Sequence, residues 1–370
     1  MTSLRRVLAT WRIDDVLAVL FSLALLVLGA THTSSLQHRS LLNFAGLILY
    51  YAGMFLFARW LVSTPRAGPW LRRSVFAALC ALLSFFALGT RVSPGIQDVK
   101  NAIVLILPLV IGAWTAPGGD SDAADSSQDR PTHAPHGLLR DLAPFLISQA
   151  AYIMLHDLVH AVNPTDRDAW LIRADQILFG GAWTQRLEPY VHPWLTEWFS
   201  MTYSLYLLFP VSLALWFVAR RQRDALLHLL QAVVLCTYLG YLGYLAVPAI
   251  GPLYTLTYHV PLSGGWFSEI RESLDSLARI PRDCFPSLHT ANTVVVLWIV
   301  WKHAPTLRWI FTILGSSCIA ATIYLRYHYT VDVAAGLLLG LLVAWSTPHI
   351  DTAWRRVVSP LAQTRPHHTP

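Results

Sequence analysis

Charge is what this 370-residue chain has least of. Asp, Glu, Lys and Arg together make up 13% of it, and its lysines are Lys100 and Lys302 alone. A chain 55% hydrophobic and so poor in charge cannot clothe a water-facing surface, and a mean hydropathy of +0.47 places it in a bilayer. Four cysteines make no disulfide framework. Cys80, Cys236 and Cys318 fall within apolar runs, where a thiol is an ordinary small filler, and Cys284, beside a polar cluster, also reads as packing. No internal repeat suggests the inverted symmetry of a transporter. The net charge of +6 and pI near 9.2 are topology signal and give no support to nucleic-acid binding. An anionic lipid surface is the partner that basic excess fits.

What is present in quantity is apolar sequence of membrane length. About 20 apolar residues cross the hydrocarbon core as a helix, because the bilayer offers the backbone no other hydrogen-bond partner. Such segments lie near 15–31, 41–62, 74–90, 102–116, 139–160, 198–219, 225–247, 287–303, 307–325 and 330–348. They predict an all-α polytopic bundle of about ten membrane helices. Retention of Lys and Arg on the cytoplasmic side then orients it. With the N-terminus inside, 17 of the 27 basic residues, among them Arg72, Arg73, Arg220, Arg221, Lys302 and Arg308, fall on the cytoplasmic side with both termini. Asp14 and Asp15 interrupt the approach from Arg5-Arg6, so the first span reads as uncleaved. The small, polar, Pro- and Gly-rich stretch from Pro117 to Pro135 divides the chain. The expected parts are an accessory bundle at 1–116, a flexible cytoplasmic linker at 117–138, a six-helix functional domain at 139–348 and a cytoplasmic tail at 349–370. The setting is an integral membrane protein of the plasma (inner) membrane.

Two polar clusters interrupt the last spans: Phe285-Pro286-Ser287-Leu288-His289, and Arg326-Tyr327-His328-Tyr329-Thr330-Val331-Asp332. The chain crosses once in each direction between them, so parity puts both at the extracytoplasmic face. Pro286 suits a first helical turn, and the free N–H groups behind it with the positive helix end make an anion site. Ser287 can donate to a phosphate oxygen, and His289 can carry a proton to a leaving oxygen. Taken alone, the pair reads equally as a helix cap and an interfacial histidine. His328 and Asp332 stand four apart, on one helical face if the span begins there. The carboxylate would fix the imidazole tautomer and leave the other nitrogen free to attack; the same spacing also serves to close a helix end. Arg326 suits a bidentate grip on phosphate, or an anchor at the membrane edge. Polar groups converging at membrane depth from two loops favour function over packing.

These two stretches resemble the second and third signature motifs of the type 2 phosphatidic acid phosphatase superfamily. The Pro-Ser-Leu-His wording, with Asp175-Gln176-Ile177-Leu178-Phe179-Gly180 and Pro248-Ala249-Ile250-Gly251-Pro252, is most similar to the inositol phosphorylceramide synthase branch. The resemblance covers roughly 139–348. It implies that His328 attacks phosphorus and becomes a phosphohistidine, that Asp332 holds it, that His289 protonates the departing alcohol and deprotonates the incoming one, and that Ser287 binds phosphate oxygens. No metal or other cofactor is implied. The family's first motif, a Lys ahead of an Arg-Pro pair, is missing, and Ala321-Thr322 stand where a Ser-Arg pair precedes the third-motif histidine. Arg326, then Arg282, are the candidates to replace that charge.

His156 and His160 are spaced for a metal but lack further ligands. Arg173 and Asp175 are expected to organise an interfacial helix with Trp183, Trp194 and Trp198. The expected activity is transfer of an inositol-phosphate-type head group from a phospholipid donor to a lipid-alcohol acceptor. A hydrolase acting on phosphatidic acid or a polyprenyl phosphate is the alternative, and a non-catalytic anion transporter or scaffold the contrasting class. Two histidines speak against the last, since plain anion binding is better served by Arg or Lys.

Overall fold

A computed structural model describes residues 12–31, 135–278 and 280–363. The spans expected at 41–62, 74–90 and 102–116, Cys80, the tail beyond 363 and nearly all of the linker lie outside the described residues. The chain divides into two compact units, residues 1–23 with 158–370 and residues 24–157; the candidate site belongs to the first.

The described residues contain helices and no strand. In chain order they are α1 (Ile13–Thr31), α2 (Pro135–Val162), α3 (Asp168–Phe179), α4 (Trp183–Arg186), α5 (Pro193–Ser204), α6 (Leu208–Ala219), α7 (Arg223–Ala246), α8 (Pro252–Thr255), α9 (Trp266–Ala278), α10 (Leu288–His303), α11 (Arg308–Tyr324) and α12 (Thr330–Gln363). Four stretches are long and apolar enough to cross a membrane: Pro193–Ala219, Arg223–Ala246, Pro305–Tyr324 and Thr330–Val357. The first joins α5 to α6 through a 3-10 turn at Leu205–Leu207 and begins on Pro193, which costs no hydrogen bond at a first turn. α12 is 34 residues long, about 51 Å at 1.5 Å per residue, so it continues as helix well past the span end expected at 348.

α10 is the hub. It packs against α7, α11 and α12, and α7 and α12 also touch each other. At 16 residues it is about 24 Å long, short for a spanning helix, and Ala291, Val295, Ile299 and Val300 on it are sealed from solvent. Two glycines allow the close approaches. A Cβ on Gly336 of α12 would stand 2.4 Å from the Ser287 carbonyl oxygen, and one on Gly240 of α7 would stand 2.3 Å from Leu288 Cδ2. Only a residue without a side chain lets α12 and α7 close on the start of α10 at this distance. Exposed tryptophans gather at both ends: Trp170, Trp183, Trp194 and Trp266 near the motif loops, Trp301 and Trp309 at the far end of α10. Amphipathic rings in two belts suit the two bilayer boundaries.

The helix starts differ from expectation in detail. Pro286 precedes the N-cap, where a first-turn position was expected, and the Phe285–Pro286 peptide is cis. α12 begins at Thr330, so His328 sits in the turn before the helix instead of on its face.

Candidate active site

The site forms where three loops meet under α3. Backbone bonds join them: Cys284 N–H donates to the Ala249 carbonyl (3.3 Å), Ser287 N–H to the Asp332 carbonyl (3.1 Å), and Arg167 N–H to the Pro248 carbonyl (2.7 Å). Two buried carboxylates of α3 complete the join. Asp168 accepts from the N–H groups of Ile250 (3.1 Å) and Gly251 (2.9 Å) and from the Tyr329 hydroxyl (2.9 Å). Asp175 accepts from the N–H groups of Thr330 (2.9 Å) and Val331 (2.7 Å), satisfying the first turn of α12 from another helix. Burial raises the Asp175 carboxyl pKa, against the lowering effect of those two N–H donors. Asp175 was expected to organise an interfacial helix; within α3 it also serves as the cap that seats the second cluster. Asp168 was not anticipated, because an Asp in a helix first turn reads as a local dipole partner and nothing in its neighbours announces a contact more than 80 residues away.

Around this frame the two histidines face each other. The rings of His289, at the start of α10, and His328 are 5.8 Å apart, centre to centre, at 57°. His289 lies between two tyrosines, stacked on Tyr203 at 4.4 Å and tilted against Tyr206 at 4.2 Å. Tyr203 stacks in turn on Tyr327 at 4.6 Å. Behind His328, the Nδ1 atom is 3.7 Å from Asp332 Oδ2, too long for a hydrogen bond and close enough for charge pairing once the ring is protonated. The side chain of Asp332 is fully buried; its Oδ2 accepts from the Tyr329 N–H (2.9 Å) and its Oδ1 has no partner. With Nδ1 turned to the carboxylate, Nε2 is the nitrogen on the side of the ring away from Asp332.

Cys284 enters this arrangement. Its thiol donates to Asp332 Oδ2 at 2.8 Å and stands 3.6 Å from His328 Nδ1. Burial, then the neighbouring carboxylate, pushes the thiol pKa well up, so it is a neutral donor. The reading of Cys284 as packing alone is therefore too narrow. Cys284, His328 and Asp332 form one group whose ligating atoms lie within 4.8 Å of each other. Two ligands of a tetrahedral zinc ion stand about 3.5 Å apart. The sulfur–oxygen separation of 2.8 Å is that of a hydrogen bond.

The remaining candidates are placed less simply. Ser287 is the N-cap of α10, its Oγ accepting from the N–H (3.3 Å) and hydroxyl (3.1 Å) of Thr290. The structure thus realises the capping alternative, two residues before His289. Arg326 takes a left-handed backbone (φ 68°) where α11 ends, a conformation costing roughly 1–2 kcal/mol for a residue other than glycine. Its guanidinium donates to the Val260 carbonyl (2.5 Å), lies 3.5 Å from Glu188 and covers the Tyr258 ring at 4.0 Å. Arg282 is taken up by Asp166 in a two-pronged pair of 2.5 and 3.1 Å, so the structure does not bring it to the histidines. For His156 and His160, the side chain of His156 lies outside the described residues.

Comparison with known proteins covers the same half of the chain. A family model described as the PAP2 superfamily matches residues 169–346. A phosphoinositol dihydroceramide synthase of Bacteroides thetaiotaomicron is 27% identical over 227 residues, 54% of this chain and 73% of the relative. A PA-phosphatase related-family protein of Dictyostelium discoideum is 28% identical over 157 residues, 42% of this chain and only 22% of the relative's length. No solved structure matches significantly. The matched segment begins in α3 just after Asp168 and ends in α12 beyond Asp332, so Asp175, Cys284, His289, His328 and Asp332 all lie in the stretch of this chain that is similar to the PAP2 superfamily.

Proposed function

We propose that this protein is a membrane phosphotransferase that passes an inositol-phosphate-type head group between lipid alcohols through a covalent phosphohistidine at His328. The observation that carries the reading is the 5.8 Å separation of the His289 and His328 rings, contributed by loops about 40 residues apart, with Asp332 behind one of them. Nε2 of His328 attacks the phosphorus of a phosphodiester lipid. The bond from phosphorus to the diacylglycerol oxygen breaks, and that oxygen leaves with a proton from His289. The imidazolium so formed at His328 is held by Asp332, whose spare oxygen and short distance to Nδ1 suit a contact that tightens as positive charge appears. An acceptor hydroxyl then gives its proton to His289 and attacks phosphorus, and the histidine is released. A covalent intermediate splits one hard displacement into two easier ones, and a positioned acid–base histidine contributes on the order of 10²- to 10⁴-fold.

The Bacteroides relative, a synthase by name, favours an alcohol acceptor over water. Lipid phosphate hydrolysis is the second reading, favoured by the name of the Dictyostelium relative. The basic residues at the span ends support an extracytoplasmic site with both termini inside, and 1–116 as an accessory bundle to a domain at 139–348. The test supplies purified protein in nanodiscs with head-group-labelled phosphatidylinositol and a ceramide or diacylglycerol acceptor. Label transferred to the acceptor, and lost in His328→Ala, supports the transferase; water-soluble labelled phosphate supports the hydrolase; unchanged turnover in His328→Ala ends the phosphohistidine reading.

A further inference from the structure

The end of α10 away from the catalytic histidines carries a recess that the phosphotransfer reading does not use. Val294, Leu297, Trp298, Trp301 and Lys302 follow one another at helical steps of three and four, and with Leu341 of α12 they wall a groove of about 650 Å³. That volume lies within the roughly 300–1,000 Å³ usual for ligand pockets. The two helices run in the same direction, since Gly336 meets Ser287 and Gly340 meets Ala291, four residues on in both. Val294 forms a buried floor, while Trp298, Trp301 and Leu341 are 39%, 43% and 45% exposed. The wall contains one charged side chain, Lys302, and no carboxylate. Trp301 is a fixed side of it: the indole Nε1 donates to Thr312 (3.0 Å), and Arg308 of α11 donates twice to the Trp301 carbonyl (3.0 and 2.6 Å) with its guanidinium over the ring at 5.3 Å. A second cation is thereby held next to Lys302.

We propose that this groove holds an anionic phospholipid of the leaflet opposite the active site, its acyl chains along Val294, Leu297, Trp298 and Leu341 and its phosphate at Lys302. The bound lipid is a resident of the fold and not a substrate, and the proposal does not depend on what His328 does. Its depth follows from helix length. α10 is about 24 Å long against a hydrocarbon core of about 30 Å, so a helix that starts at one boundary stops short of the other. The Lys302 ammonium must then extend along its stem to phosphate depth, and a lipid lying in the groove brings a phosphate to meet it. The apolar wall suits acyl chains, and the exposed indoles of Trp298 and Trp301 suit the boundary between chain and head group. The charge of the head group follows from the cations. With Lys302 and Arg308 at the mouth and no acid in the wall, the ammonium of a choline or ethanolamine head would meet like charge, whereas a head group of net negative charge is attracted throughout.

The test is native mass spectrometry of the full chain released from nanodiscs of equal phosphatidylglycerol and phosphatidylcholine. One phosphatidylglycerol per chain is expected to survive release, favoured over phosphatidylcholine by about fivefold or more, the size expected of one lysine at a membrane surface. Lys302→Gln should bring the two lipids to near parity, and Lys302→Arg should keep the preference. Leu341→Trp fills the groove without touching the charge and should lower retention of both lipids. Lys302 and Leu341 are both exposed, so these variants fold. No retained lipid, equal retention of the two lipids by the wild-type chain, or a preference that survives Lys302→Gln overturns the assignment. The last result is also what a lipid held at the active site would give, since that site lies at the other end of α10. A lipid-free dimer that Leu341→Trp breaks would give the groove to a second copy of the chain and overturn it as well.

Discussion

α10 has a histidine pair at each end, and the two are built differently. At its start, His289 faces His328 across 5.8 Å, with tyrosines on both sides of His289, a thiol and a buried carboxylate behind the partner, and a cleft lined by Tyr327, the residue before His328. At its end, His303 Nε2 lies 3.2 Å from His228 Nδ1, the rings are perpendicular, and Phe217 closes the edge. The nearest acid there, Asp351, is spent on Gln231 (3.1 Å) and Arg355 (2.7 Å), and the adjoining groove is walled by Val294, Leu297, Trp298, Trp301 and Leu341 with Lys302. Two imidazoles in contact therefore do not make a site. The carboxylate turned to one ring nitrogen and the thiol that donates to it distinguish the first pair from the second.

The sharpest way to break this contrast is to remove one histidine from each end. His289→Ala is expected to lower head-group transfer by roughly 10²- to 10⁴-fold, and His303→Ala to leave it within about twofold, both measured as initial rates in nanodiscs. Comparable losses at the two ends would dissolve the distinction. Asp332→Asn keeps the shape and removes the charge; a fall on the order of 10²- to 10³-fold in kcat with little change in KM is expected of an orienting carboxylate. A change confined to KM would make Asp332 a substrate-binding group instead. Gly336→Ala puts a methyl against the Ser287 carbonyl and should cost about 1–3 kcal/mol of stability, read as a lower Tm, with activity falling further than His303→Ala lowers it. An unchanged Tm would mean that α10 and α12 are not held this closely. The smallest effect is expected of Cys284→Ser, which keeps a donor to Asp332 and should stay within about fivefold of wild type, whereas Cys284→Ala should fall lower because it leaves the buried Oδ2 with the Tyr329 N–H alone of its two donors. Equal rates for the two variants would reduce the thiol to packing.

Much of the membrane architecture was open to reading from composition. Spans expected at 198–219, 225–247, 307–325 and 330–348 correspond to the helical stretches Pro193–Ala219, Arg223–Ala246, Pro305–Tyr324 and Thr330–Val357, because hydropathy over 18 or more residues is a local property and the bilayer imposes helix on it. The motif residues were equally legible as types, since a histidine, a carboxylate and a serine at membrane depth are expensive and conspicuous. What escaped was the support around them. Asp168 and Asp175 look like ordinary helix acids until α3 is laid against the loops at 250 and 330. Cys284 looks like a filler until Asp332 arrives from 48 residues away. Arg282 looked available for phosphate and is instead bound to Asp166, while Arg271, in a segment that drew no attention, lines the polar cleft.

The sequence by itself determined that this chain lives in a bilayer as helices and singled out His289, His328 and Asp332 as candidates, because hydropathy and the cost of burying polar groups are written residue by residue. Which nitrogen of His328 faces Asp332, which groups take up Arg282 and Arg326 and what holds the loops together were decided only by the tertiary structure. Those depend on contacts between residues dozens of positions apart, whose distances no local pattern encodes.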